Sequence, residues 1–581
     1  MFRLISTSLM NAIQYRTGAF YLNTSLIWFR FLSCSIFLAV SSLLIPHPLM
    51  AAQSAIASAH PLATAAGERI LDQGGNACDA AVAVAVTLAV VEPFSSGLGG
   101  GGFLLWHRSS DRQQMMIDAR ETAPSGIRPQ HFFDIDGSPI KDATVRGGAA
   151  VAIPGLPAGL ARLSERCGSL PLGKTLASAI QLARDGFAVD SRYVNIVEMR
   201  QARLRQSEGG QRFLDRGQVP KVGFVLRQPD LANTLERIVE DGFKSAFYSG
   251  PIAQALVNTV NGAGGVWTMN DLVNYQAIDR EPIVFTYRNA RITSAALPSA
   301  GGIALFQALG VLEHFELGDA QNPQTAHLVV EALRYAFRDR WRLGDPDFGL
   351  PPISKDLEKI KLNQYVKNVS PDRVSALESL DESPISGGDH TTHFSVIDSA
   401  GNRVAATLTI NLLFGSGLVG QGTGVLLNNE MDDFTLRGDI ANSFKLKGGV
   451  ANGVAPGKRP LSSMTPTFIE DEKGVLVLGA PGGSRIISQV LLASLNYIHN
   501  NEVDLRRMVS MPRYHHQFWP DRLELEPNGY SSEWVKKLED KGHRVQFGVR
   551  PWGNLQAVFQ SSKNANAQAA SDPRGSGLAW Y

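Results

Sequence analysis

"GGDHTTHFSVID", residues 387–398, decides how the rest of the chain is read. As an extended strand, Thr391, His393, Ser395 and Ile397 fall on one face, and Thr392, Phe394, Val396 and Asp398 on the other. The preceding stretch, "SLDESPISGG" (379–388), is small, polar and rich in breakers. A segment expected to be loose therefore runs straight into a strand that opens Thr-Thr-His. Strands often carry threonine, so the pattern is ordinary until the rest of the sequence is set beside it.

The chain has 581 residues, enough for two lobes or one large layered domain. Its 55 Lys and Arg nearly balance 54 Asp and Glu, and no basic run stands out, which argues against a nucleic-acid partner. The 56 glycines cluster in short loops, where backbone packs closely around turns or ligands.

The N-terminus differs in kind. No acidic residue precedes Glu68, and Arg3, Arg16 and Arg30 come before the apolar run "FLSCSIFLAVSSLLI" (31–45). That run is short for a membrane span and suits a signal peptide over residues 1–50, the alternative being an uncleaved anchor. Cleavage near Ala51 is expected, because cutting at Ala57-Ser58-Ala59 would remove part of the first strand. Cys34 lies inside the leader, which leaves Cys78 and Cys167. Two thiols need not pair, and Cys78 in "NACDAAVAVAV" reads as a small buried helix residue.

Helices are expected over 61–75 and 76–93, the second apolar on nearly every face and so buried. "GLGGGGFLLWH" (97–107) and "QMMIDARETAP" read as a glycine loop and two strands. Residues 150–385 read mostly as helices. From 391 the strands are "TTHFSVID", "NRVAATLTI", "TGVLLNN", "TPTFIED" and "GVLVLGA", followed by an apolar helix over 484–500. Helices outside two strand-rich layers make an α/β sandwich.

Several chemistries drop out. The sequence has no HExxH, CxxC or His-rich spacing, and His515-His516 lacks nearby acidic or cysteine partners, so no metal is implied. "GLGGGG" is followed by no Gly-Lys-Ser/Thr, and no GxSxG elbow occurs. What remains is spread through the last third: "TTHFSV", "TLTINLLFGSG", "LLNNEMDDF", "KRPLSSMTPT" and "APGGSRI".

This set resembles the γ-glutamyltransferase family of N-terminal-nucleophile hydrolases. The likeness spans the mature chain, taking in "GGNACDAAVAV", "GLGGGGF", "DARETAP", "LGDPDF" and "ASDPR". It implies a four-layer αββα sandwich and no cofactor. It also implies self-cleavage between His390 and Thr391, giving a large subunit (51–390) and a small catalytic subunit (391–581) that stay together as a heterodimer. Thr391 would then be the nucleophile and its freed α-amine the base. That amine titrates near 7.7–8.0 in small peptides, so it takes up a proton close to neutral pH.

By the same resemblance Thr409 contacts the nucleophile, and Gly482 and Gly483 supply the oxyanion hole. Arg120, whose planar fork suits a carboxylate, would hold the α-carboxylate of a γ-glutamyl group together with Ser462 and Ser463. Asn411, Glu430 and Asp433 would hold its ammonium. Glutathione and other γ-glutamyl compounds are the implied donors, and amino acids or dipeptides the acceptors, in the periplasm or another exported location. Acylases of the same fold that take glutaryl groups have no ammonium to bind, so the Glu430 and Asp433 pair argues against them; an acylase or a poly-γ-glutamate amidase of the same fold is the nearest enzyme alternative. An unprocessed, inactive binding relative is the reading from another class; the intact Thr391, Thr409, Gly482 and Gly483 set argues against it. Residues 437–463 have the length of a pocket-covering loop, with Phe444 where some bacterial relatives have a tyrosine.

Overall fold

The computed structural model describes residues 53–350, 355–377, 390–564 and 566–581. The leader with its cleavage site and Cys34, and the breaker-rich stretch 379–388, lie outside the described residues.

Two antiparallel sheets carry the fold. In chain order their strands are β1 (Ala55–Ser58), β2 (Gly101–Arg108), β3 (Gln113–Ala119), β4 (Ile278–Arg280), β5 (Ile283–Tyr287), β6 (Ala290–Ser294) and β7 (Thr392–Ile397). The remainder are β8 (Arg403–Thr409), β9 (Thr467–Asp471), β10 (Gly474–Gly479), β11 (Gln556–Ser561), β12 (Ala567–Ser571) and β13 (Leu578–Trp580). One sheet runs β13-β1-β7-β8-β2-β3-β4 and the other β12-β11-β10-β9-β6-β5.

Strand alternation builds the layers. Phe394 and Val396 of β7, with Leu104 and Trp106 of β2, join a core made with the helix Ala77–Val91. Ile397, Phe103 and Leu105 point the other way, into a core shared with Phe468, Leu476 and Leu478 of the second sheet. That core continues into the helices Gly301–Leu312, Pro323–Asp339 and Arg485–His499. The order is helix, sheet, sheet, helix: the expected αββα sandwich. Strand β7 lies inside its sheet, paired on both edges, so the residue entering it is held from either side.

The helix Ala77–Val91 is buried along its whole length. Asn76 caps it through a reciprocal pair with Asp79. Its first turn carries Cys78, which forms a disulfide with Cys167 at the end of the helix Leu156–Cys167. Cys78 is buried as expected and also bonded, a pairing that a sequence separation of 89 residues leaves open.

Two expectations need correction. Residues 150–385 are not only helical: β4, β5 and β6 lie there, and the β5–β6 hairpin supplies one edge of the second sheet. Conversely, "TGVLLNN" (423–429) forms no strand. Leu427 makes a single bridge to Gly99 and Leu426 one to Val419, so this segment follows the glycine loop instead of extending a sheet.

Candidate active site

Thr391 stands just before β7, buried, with φ at +84°. For a β-branched residue this left-handed backbone is strained, by an amount of order 1–3 kcal/mol. Its Oγ1 lies 3.2 Å from Oγ1 of Thr409, the last residue of the adjacent strand β8. The Asn411 N–H donates to Thr409 Oγ1 at 2.9 Å, which fixes that hydroxyl and leaves its proton free to turn toward Thr391. Thr392 faces the other way and donates to Glu92 at 2.8 Å.

The carbonyl before Thr391 is also held. Gly482 N–H donates to the His390 carbonyl oxygen at 3.1 Å. Gly482 and Gly483 have φ of +132° and +58° and sit at the start of the helix Arg485–His499. Their amides thus stand at the helix's positive end. A Cβ on Gly483 would lie 2.5 Å from the ring of Phe444, so close packing as well as backbone requires glycine. The His390 ring meets Phe444 edge-on at 5.9 Å. Its Nδ1 accepts from Leu413 N–H at 2.9 Å, which places the ring proton on Nε2. Burial, reinforced by Arg200, Arg550 and other arginines, keeps the His390 pKa far below the usual range, and the ring is neutral.

Thr391 opens into a small cavity that it lines together with Thr409, Asn411, Gly483, Arg120, Glu430 and Asp433. Arg120 is fully buried; its guanidinium binds Glu430 and, at 2.5 Å, Asp433, while Nε donates to the Pro460 carbonyl at 3.1 Å. Burial works against this cation, but Glu430, Asp433 and Glu121 outweigh it and raise its pKa. Burial pushes the Glu430 carboxyl well above the carboxylate range, with Arg120 opposing. The residues expected to hold a carboxylate and an ammonium are therefore brought together, but here they satisfy one another.

Some valences stay open. Glu430 Oε2 and Ser463 Oγ are buried with no hydrogen-bond partner among the described residues. Ser462 Oγ accepts from Met464 N–H at 3.1 Å, which leaves its own proton available. Asn411 Nδ2 donates to the Asn429 carbonyl at 2.9 Å, so the carbonyl end of its side chain is the end left for a ligand.

Two residues escaped the sequence reading. Glu121 Oε2 lies 3.5 Å from Arg120 in an ion pair, neither of its oxygens accepts a hydrogen bond among the described residues, and burial pushes its carboxyl up to about 7. It directly follows Arg120 in "DARETAP", and a second charge beside an arginine expected to bind a carboxylate is the available signal. Arg340 lines the same cavity, buried, with one long bond of 3.5 Å to the Leu461 carbonyl. It lies in the run "RDRWR", where nothing singles it out.

The profile of the family described as Gamma-glutamyltranspeptidase matches residues 63–581. The chain belongs to this family. It is 38% identical over 544 residues to the glutathione hydrolase proenzyme of Escherichia coli K12, covering 91% of each chain. It is 37% identical over 518 residues to that of Pseudomonas aeruginosa, covering 88% of this chain and 91% of the relative. The fold resembles the crystal structure of a cephalosporin acylase from Bacillus halodurans, with a TM-score of 0.79, 25% identity, and 91% and 96% of the two chains covered. Against the Helicobacter pylori γ-glutamyltranspeptidase the TM-score is 0.53 at 32% identity, over 55% of this chain and 92% of the other. The chain is therefore an enzyme of the γ-glutamyltranspeptidase family.

Proposed function

We propose that the chain is a self-processing γ-glutamyltransferase and glutathione hydrolase in which Thr391 is the nucleophile. The observation that carries this reading is the junction itself. The Thr391 hydroxyl touches Thr409 at 3.2 Å, and the carbonyl it must attack rests on Gly482 N–H at 3.1 Å.

In the first reaction Thr391 Oγ1 attacks the His390 carbonyl carbon. The peptide bond breaks, its nitrogen becomes the Thr391 α-amine, and the acyl group moves to the hydroxyl as an ester. Water cleaves the ester, leaving a carboxylate on His390 and a free Thr391. Two features favour the start: the Gly482 N–H polarises the carbonyl, and breaking the chain relieves the backbone strain at Thr391. The products are the fragments 51–390 and 391–581.

In the second reaction the α-amine takes the hydroxyl proton while Oγ1 attacks the γ-carbonyl of the donor. The oxyanion forms against Gly482 and Gly483. The leaving amine departs with the proton, and water or an amino acid or dipeptide then takes the acyl group. For the tail to enter, Arg120 exchanges part of its contact with Glu430 and Asp433 for the substrate carboxylate, joined by Ser462 and Ser463. The freed acids and Asn411 then receive the ammonium.

The acylase-like fold supports a second reading, hydrolysis of glutaryl amides. Against it, once Arg120 turns to a substrate carboxylate, Glu430 and Asp433 are left without their cation unless the substrate brings an ammonium. Comparing γ-glutamyl with glutaryl anilide hydrolysis tests this: a preference for the glutaryl compound would overturn the proposal. The disulfide Cys78–Cys167 supports folding in an oxidising compartment, in keeping with an exported chain. Among the described residues no helix is long and apolar enough to cross a membrane.

A further inference from the structure

Arg200 and Arg203 stand one turn apart on the helix Ser191–Arg205, each half-buried. Arg203 donates to the Val145 carbonyl, which also accepts from Asn429 Nδ2 at 3.1 Å. Asn429 in turn receives Leu412 N–H on its side-chain oxygen and Asn411 Nδ2 on its carbonyl. Arg203 is thereby tied to the loop Asn411–Leu413, whose Leu413 amide holds the ring of His390 at the scissile bond.

Among the described residues neither of these cations forms an ion pair. Arg200 makes no side-chain hydrogen bond and no ion pair among the described residues, and the Nε atoms of both arginines are buried and unpartnered. Arg146 and Arg550 add their charge to the same region: burial first, then these neighbours, lower the pKa of Arg200, and burial, Arg200 and Arg146 lower that of Arg203 to about 10. Asp142 reaches Arg146 at 3.5 Å. Asp142 and Asp432 oppose the shift at Arg203, but among the described residues no acid pairs with Arg200, and a desolvated cation beside like charges gains from an anion.

The substrate can supply that anion. A γ-glutamyl peptide carries two carboxylates, one on the glutamyl tail and one on the amine that leaves. The tail has its own place, since the cavity lined by Arg120 and Arg340 includes neither Arg200 nor Arg203. We propose that Arg200 and Arg203 form a subsite for the carboxylate of the leaving amine, and equally of the amino acid or peptide that takes its place as acceptor. This rests on the γ-glutamyl reading above and adds the recognition of its second substrate half.

The test compares two γ-glutamyl anilides that differ only by a carboxylate on the ring. In the processed Arg200→Gln/Arg203→Gln enzyme, the ratio of kcat/KM for the carboxylated over the uncharged anilide is expected to fall about 10-fold. Taking a ratio cancels any loss common to both. Arg200→Gln alone, which breaks no hydrogen bond among the described residues, is expected to lower the ratio in the same direction. In the unsubstituted enzyme, raising salt from 0.05 to about 1 M is expected to shrink the preference, because the Debye length falls to about 3 Å. An unmoved ratio in the variants with both anilides turned over overturns the subsite alone. So does slower cleavage at Thr391 as the only effect, which would assign the cluster to the precursor. Turnover of neither anilide by the unsubstituted enzyme overturns the γ-glutamyl reading and the subsite with it.

Discussion

The amide of Gly482 donates to the carbonyl oxygen of His390 at 3.1 Å, and in the proposed mechanism this bond of the uncut chain stands in the place of a substrate amide. One oxyanion hole then serves both the cleavage and the acyl transfer, and the two reactions respond together to its loss.

Gly483→Ala is expected to slow both. The added methyl meets Phe444 at 2.5 Å, and φ of +58° strains any side chain there. Losing one such donor costs roughly 10²-fold or more in kcat. Gel densitometry of processing and steady-state turnover check this. Parental rates in both would remove Gly483 from the hole.

Thr409→Val removes the hydroxyl that touches Thr391 and accepts from Asn411 N–H. Processing and kcat are expected to drop by about 10-fold or more, with KM moved less, and Thr409→Ser to recover most of the loss. If serine rescues no better than valine, the hydroxyl is not what Thr391 needs.

Asp433→Asn and Glu430→Gln test the ammonium end. Each takes away an acidic group but keeps the shape, so kcat/KM for a γ-glutamyl anilide is expected to fall by about 10- to 100-fold. The glutaryl anilide, which has no ammonium, is expected to gain relative to it. Equal losses for both substrates would count against the assignment.

Glu92 gives a pH signature under the catalytic strand. Burial pushes its carboxyl up to about 7, Arg192 opposing, while it accepts the Thr392 hydroxyl. The folded state therefore holds a proton that the unfolded chain releases near pH 4.5, and this group's contribution to stability is lost as pH rises toward 7. Glu92→Gln still accepts from Thr392 but does not titrate. Its stability relative to the parent is expected to rise across that window, by up to about 3 kcal/mol. Urea unfolding at pH 4.5 and pH 8, in a Thr391→Ala background that remains one chain, reads the difference. A difference independent of pH would contradict the buried proton.

Much of this was legible in the sequence because the deciding elements obey local rules. The alternation after Thr391 sent Phe394 and Val396 to one core and Ile397 to the other, and that split is the sandwich. The buried helix Ala77–Val91 declared itself by being apolar all round. The β5–β6 hairpin did not, since "FTYRNARITS" mixes charges into short strands whose stability comes from pairing with β9. "TGVLLNN" misled for the opposite reason: it has strand composition, but its neighbours offer only single bridges. At the site, the residue types pointed to an amino-acid end, yet the direct pairing of Arg120 with Glu430 joins positions 310 residues apart. The excess of buried carboxyls, Glu121 included, follows from that packing and from no periodicity.

The most direct test is the mass and N-terminal sequence of the fragments made by the leaderless chain and by Thr391→Ala. The parent is expected to yield a fragment beginning at Thr391 that carries γ-glutamyl hydrolase activity together with its partner, and Thr391→Ala to stay whole and inactive. A parent that remains one chain through Thr391, or a Thr391→Ala chain that is still cut there and turns over substrate, would contradict the account.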